Sequence, residues 1–148
     1  MDTQTIAHHD VQVAEVLLIE DNDSDVILVK KALEGCKFRV KLNTVSDAEE
    51  AMNFLHQKGV YASARIPDLV LLDINLPKGN GLDILQDLKK DPRLNHIPVV
   101  VLTTSHSEKD ILKTYGLGAT CFVTKPMDFP EFAESVCSIT SNFIMHRS

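Results

Sequence analysis

Four consecutive apolar residues, Leu69-Val70-Leu71-Leu72, run directly into an acid, Asp73. A strand facing solvent on one side alternates apolar and polar residues, so a run without alternation predicts a strand buried on both faces. That environment is found inside a parallel sheet covered by helices. In such sheets the crevice beyond the carboxyl ends of the strands is where ligands bind. Asp73 therefore falls where chemistry is expected.

The rest of the chain repeats the pattern. Val16-Leu17-Leu18-Ile19 is a second all-apolar run, and it ends in Glu20-Asp21-Asn22-Asp23. A helix follows, capped by Ser24 or Asp23, with Ile27, Leu28, the stem of Lys31 and Ala32 along one face and Gly35 as the stop. Val40 to Val45 alternates as an edge strand does. Ser46-Asp47-Ala48-Glu49 reads as a capping box opening a helix striped by Ala51, Met52, Phe54 and Leu55. Gly59 ends that helix, and a loop returns to the sheet by Pro67.

Beyond Asp73, Pro77-Lys78-Gly79-Asn80-Gly81 predicts a turn, and Leu82, Ile84, Leu85 and Leu88 mark a helix closed by Asp91-Pro92. Pro98 to Leu102 is a further buried strand ending at Thr103. A short helix from about Glu108 to Tyr115 leads to the strand Thr120 to Thr124, which closes on Lys125-Pro126. Asp128-Phe129-Pro130-Glu131 then opens a last helix running towards Phe143. Five strands alternate with five helices. Right-handed crossovers turn that order into an α/β, doubly wound, five-stranded parallel sheet with helices on both faces.

Bulk properties narrow the classes of partner. The chain has 148 residues, of which 44% are hydrophobic and 24% charged, so it can build one sizeable core. Residues 1–13 have no period and are expected to be a loose tail, with a single domain over 14–148 and no output domain. The net charge of -6 speaks against nucleic acid or an anionic membrane, both of which demand clustered Lys and Arg. No apolar run reaches the roughly 18 residues of a membrane span. The polar N-terminus lacks a signal peptide's layout, so a cytoplasmic location is expected. Cys36, Cys121 and Cys137 are far apart without C-x-x-C spacing and read as reduced thiols. The six histidines show no metal-ligand spacing.

The strand ends converge. Glu20 and Asp21, Asp73, Thr103 and Lys125 all fall at carboxyl ends of strands, on one rim. Two unit charges about 4 Å apart repel by roughly 4 kcal/mol at an effective dielectric of 20, so three carboxylates require a cation or raised pKa values. Lys125 offsets one charge, and a hard divalent ion, Mg2+ or Mn2+, offsets the rest. The acidic, glycine-free loop after the first strand would repel a nucleotide phosphate, which excludes the usual dinucleotide role of this sheet type. A carboxylate beside such an ion, an ammonium and a hydroxyl is equipped to accept a phosphoryl group.

These residues resemble the receiver domain of two-component response regulators, a flavodoxin-like (CheY-like) family with strand order 2-1-3-4-5. The motifs carrying the resemblance are Glu20-Asp21, Leu71-Leu72-Asp73-Ile74-Asn75-Leu76-Pro77, Gly79-Asn80-Gly81, Thr103 and Lys125-Pro126, and the match spans about Val16 to Phe143. The resemblance implies that Asp73 is phosphorylated by a histidine kinase. Glu20, Asp21, Asp73 and the backbone carbonyl of Asn75 would bind Mg2+, and Thr103 and Lys125 the phosphoryl oxygens. Thr103 and Phe122 would form the switch, and the Lys125-Pro126 peptide would be cis.

This sequence departs from the family pattern in two places. The acid pair is Glu-Asp where Asp-Asp is commoner, which leaves open whether Glu20 reaches the metal directly or through water. Phe122 replaces a tyrosine and so brings no hydroxyl to the switch. The Gln57 to Pro67 loop and the run Ile97 to Glu108 are similar to single-domain regulators paired with bacterial phytochromes. That finer resemblance implies a light-sensing kinase partner and a homodimer. Two alternatives stand beside the signalling role. One is a degenerate receiver that only binds protein. The other is a phosphatase with an aspartate nucleophile, which would need a second acid where Asn75 stands.

Overall fold

A computed structural model describes residues 13–74, 81–103, 113, 115–125 and 128–145. Five strands, β1 (Val13–Ile19), β2 (Arg39–Val45), β3 (Leu69–Asp73), β4 (Val99–Thr103) and β5 (Cys121–Thr124), form one sheet in the order β2-β1-β3-β4-β5. All four pairings are parallel. Four described helices accompany them: α1 (Asp23–Glu34), α2 (Ala48–Leu55), α3 (Gly81–Lys90) and α4 (Phe129–Met145). The doubly wound sheet expected from the apolar runs is the one observed. The short helix expected from Glu108 lies almost wholly outside the described residues. Its end is visible, where the Leu117 N–H donates to the Lys113 carbonyl and Gly118 turns left-handed at φ +106.

The apolar runs are uninterrupted because each of their faces has its own core. Leu17 and Ile19 of β1, Val70 and Leu72 of β3, and Val99 and Val101 of β4 pack against Phe54 and Leu55 of α2 and Ile84, Leu85 and Leu88 of α3. The alternate residues Val16, Leu18, Leu69, Leu71, Val100 and Leu102 pack against Val29, Ala32 and Leu33 of α1 and Phe132 and Val136 of α4. Every residue of β3 and β4 is buried, whereas β2 at the edge alternates towards solvent. A fully buried Leu or Val contributes about 1.5–3 kcal/mol. The two faces together therefore hold the strand ends in fixed register.

Several local expectations are corrected. β1 starts at Val13, within the expected tail, because Val13 and Ala14 pair with Arg39 and Val40 of β2; residues 1–12 lie outside the description. The cap of α1 is Asn22, not Ser24 or Asp23, and its side chain accepts from the Asp25 N–H at 3.0 Å. The buried face of α1 is Val29, Ala32 and Leu33, one residue round from the expected stripe, and Ile27 is 53% exposed. The cap of α2 is Asp47, with Glu50 reaching back to the N–H and hydroxyl of Ser46, so the capping box begins one residue later than expected.

The cysteine reading is also corrected. Cys36 and Cys137 form a disulfide with Cα atoms 5.6 Å apart, and Cys121 is the free thiol. The pair is separated by 101 residues in sequence. α1 and α4 lie side by side on one face of the sheet, which brings the two residues together.

Candidate functional site

The site is assembled where strands stop. Parallel register sets Ile19 opposite Leu72 and Asp73 opposite Leu102, so Glu20, Asp73 and Thr103 end neighbouring strands at one level. The Glu20 N–H is tied to the Val45 carbonyl at 2.9 Å, and the Lys125 N–H to the Thr103 carbonyl at 2.6 Å. These bonds prolong the ladder one residue past β1 and β5 and aim both side chains across the crevice. Glu20, Asp73 and Thr103 are buried, while Asp21 is exposed at the rim.

Behind Asp73, α3 begins almost in contact with the strand end. A Cβ on Gly81 would lie 2.8 Å from the Asp73 carbonyl oxygen and 2.5 Å from Ile74 Cα. Of the turn expected over Pro77 to Gly81, residues 77–80 lie outside the described residues; at Gly81 the lack of a side chain is what permits so close an approach.

The Lys125 ammonium is the hub. Its Nζ donates to Glu20 Oε1 at 2.6 Å, Asp25 Oδ2 at 2.9 Å and Asp73 Oδ2 at 3.4 Å. All three of its N–H donors therefore have a carboxylate partner. Burial works against the charged ammonium, yet the hydrogen bonds to Glu20 and Asp25 and the charges of Asp73 and Glu20 outweigh it, so its pKa is raised. The Glu20 carboxyl is pushed up to about 7, first by burial and then by a hydrogen bond with Asp73, against the pull of Lys125.

Glu20, Asp21 and Asp73 each bring a carboxylate oxygen, and these oxygens lie within 4.8 Å of one another. Three hard oxygen donors this close together fit Mg2+ or Mn2+ and no soft metal. Asn75, the expected source of a backbone carbonyl ligand, is outside the described residues, as is Pro126 of the expected cis peptide.

Glu20, Asp21, Asp73, Thr103 and Lys125 are thus placed on one rim, as their positions after strands predicted. Phe122 is one step away, half-buried on β5 opposite Val101 and packed against the core on the α2 and α3 side of the sheet. Asp25 was not anticipated from the sequence. Its only local signal is an acid in a helical first turn, which ordinarily answers the helix dipole.

The sequence profile of the response regulator receiver domain matches residues 16–137. Response regulator Rcp1 of Synechocystis sp. is 40% identical over 126 residues, covering 85% of this chain and 86% of its own. The crystal structure of a phosphorylated cyanobacterial phytochrome response regulator, RcpA, superposes with a TM-score of 0.85 at 39% identity, over 93% of this chain and 98% of that one. The Mn2+-bound form of Rcp1 gives 0.82 at 38% identity, over 91% and 97%. With the profile spanning most of the chain and strand ends that gather three carboxylates and a lysine, the protein belongs to the receiver-domain family of response regulators.

Proposed function

We propose that Asp73 accepts a phosphoryl group from the phosphohistidine of a sensor kinase, and that the protein works as a switch. The observation carrying this reading is the Lys125 ammonium 3.4 Å from a buried Asp73 carboxylate at the end of a central strand. In the transfer an Asp73 oxygen forms the new P–O bond while the P–N bond to the imidazole breaks, and the imidazole nitrogen keeps that electron pair. Lys125 and the Thr103 hydroxyl would take phosphoryl oxygens, and the fixed strand ends would hold Asp73 in line. A divalent ion held by Glu20, Asp21, Asp73 and the Asn75 carbonyl would supply charge neutralisation at the phosphoryl oxygens. Asn75 cannot supply the proton that a phosphatase of aspartate-nucleophile type requires, which favours a single-use acceptor over a turnover enzyme.

The relatives support a finer reading. RcpA is a phytochrome response regulator, and the chain aligns along nearly its whole length. A light-sensing histidine kinase of phytochrome type is the partner we propose, acting in the cytoplasm where kinase and ATP meet. The signal would leave through Phe122 and the β5 and α4 surface, in a homodimer or onto a partner.

Labelling with acetyl phosphate and Mg2+ tests the acceptor. Wild type should gain one acid-stable, base-labile phosphoryl group, and Asp73→Asn none. Equal labelling of Asp73→Asn would overturn the reading. Phosphotransfer from a phytochrome kinase that changes between red and far-red light tests the partner, and sedimentation with and without beryllofluoride tests the dimer.

A further inference from the structure

Asp25 reaches the site from outside the strand ends. It sits in the first turn of α1, its N–H held by the Asn22 side chain at 3.0 Å, and the Asn22 N–H approaches Glu20 Oε2 at 3.4 Å. That chain of contacts ties the helix start to the carboxylate ending β1. It aims the Asp25 carboxylate at Lys125, 100 residues away in sequence, where the Oδ2 to Nζ distance is 2.9 Å. This is shorter than the 3.4 Å from Lys125 to Asp73.

We infer that Asp25 is a positioning residue that holds the Lys125 ammonium in the unphosphorylated protein and yields it when Asp73 is phosphorylated. The inference rests on the phosphoacceptor reading above. Lys125 has three N–H donors and three carboxylate partners; a phosphoryl oxygen on Asp73 takes over the long 3.4 Å contact, and it can draw the ammonium closer only by loosening Glu20 or Asp25. Glu20 is the harder one to release, because its side chain is fully buried and water cannot replace the hydrogen bond it would lose. The Asp25 side chain is 32% exposed. Water can solvate it once the bond is broken, so it is the exchangeable partner. A phosphoryl group on Asp73 would also repel Asp25 across the shared lysine, which acts in the same direction.

The simpler role of Asp25 is that of any acid in a helical first turn. Asp23 provides the comparison: it lies in the same turn, carries the same charge and is exposed. The measurement is beryllofluoride affinity at saturating Mg2+, together with the lifetime of the acetyl-phosphate-derived phosphoryl group, in wild type, Asp25→Asn, Asp25→Glu, Asp23→Asn and Asp73→Asn. Asp25→Asn should bind beryllofluoride about fivefold more tightly, equivalent to roughly 1 kcal/mol, and keep its phosphoryl group longer. Asp25→Glu should return both values towards wild type, and Asp23→Asn should leave them unchanged. Unchanged or weaker beryllofluoride binding in Asp25→Asn overturns the inference, as does an equal gain in Asp23→Asn. Either result with wild type labelled and Asp73→Asn unlabelled leaves the phosphoacceptor reading standing. Labelling of Asp73→Asn removes that reading and this inference with it.

Discussion

Gly81 and Asp73 are packed backbone to backbone: a Cβ on Gly81 would stand 2.8 Å from the Asp73 carbonyl oxygen. The first turn of α3 thereby fixes the end of β3 from behind, at the residue that carries the central carboxylate. Glycine is required here by space and not by a left-handed φ.

Gly81→Ala should therefore disturb the site more than its distance from the reacting atoms suggests. The neighbouring atoms are backbone and cannot swing aside, so the strand end must shift. A cost of about 1–3 kcal/mol is expected, typical of overpacking, with slower labelling of Asp73 by acetyl phosphate. Urea unfolding and labelling rates on the same variant check both effects. Wild-type values for both would mean that the helix start moves freely.

Metal binding should appear as stability. The carboxylates of Glu20, Asp21 and Asp73 converge, so an ion that binds only the folded chain adds about 2.7 kcal/mol at 100 times its dissociation constant. EDTA should reverse the gain. Asp21→Asn should lose most of the Mg2+-dependent rise in Tm while the metal-free protein melts no lower than wild type, since repulsion at the rim is relieved. A melting curve indifferent to Mg2+ would remove the ion from the site.

The metal-free protein should lose stability as pH rises from about 4.5 to about 7. The Glu20 carboxyl is raised to about 7 from an ordinary 4.5, so in that window the folded state holds a proton that the unfolded state has released. Stability falls where the folded state binds more protons, here on the order of a few kcal/mol across the window. Glu50, lowered by its hydrogen bonds to Ser46, acts below that range, adding stability that is lost as pH falls through its folded pKa. Urea titrations in EDTA should show the decline, Glu20→Gln should flatten it, and saturating Mg2+ should suppress it by keeping Glu20 ionised.

Reducing Cys36–Cys137 should destabilise the fold by about 2–4 kcal/mol, because the bond closes a long loop of the unfolded chain. Thiol titration of the unfolded protein should count one thiol before reduction, Cys121, and three after it. Cys36→Ser should melt with the reduced protein. Three thiols in protein never exposed to reductant would show that the two helices pack without the bond.

The local pattern of the chain determined the sheet and most of its rim. Buried strands announce themselves by apolar runs such as Val16 to Ile19 and Leu69 to Leu72, because burial on both faces leaves no place for polar alternation. The residue after each run then falls at the strand end, which is why Glu20, Asp21, Asp73, Thr103 and Lys125 were legible as a group.

Tertiary structure alone decided the rest. Which polar residue caps a helix depends on where the chain enters it, and Asn22 and Asp47 win by a shift of one or two residues that composition cannot resolve. Asp25 joins Lys125 across 100 residues, and Cys36 joins Cys137 across 101. Such pairs depend on how closely two helices and a strand end approach after packing. A linear pattern carries periodicity but no distance between elements, so Asp25 became known as a partner of Lys125 only when the sheet and α1 were placed together.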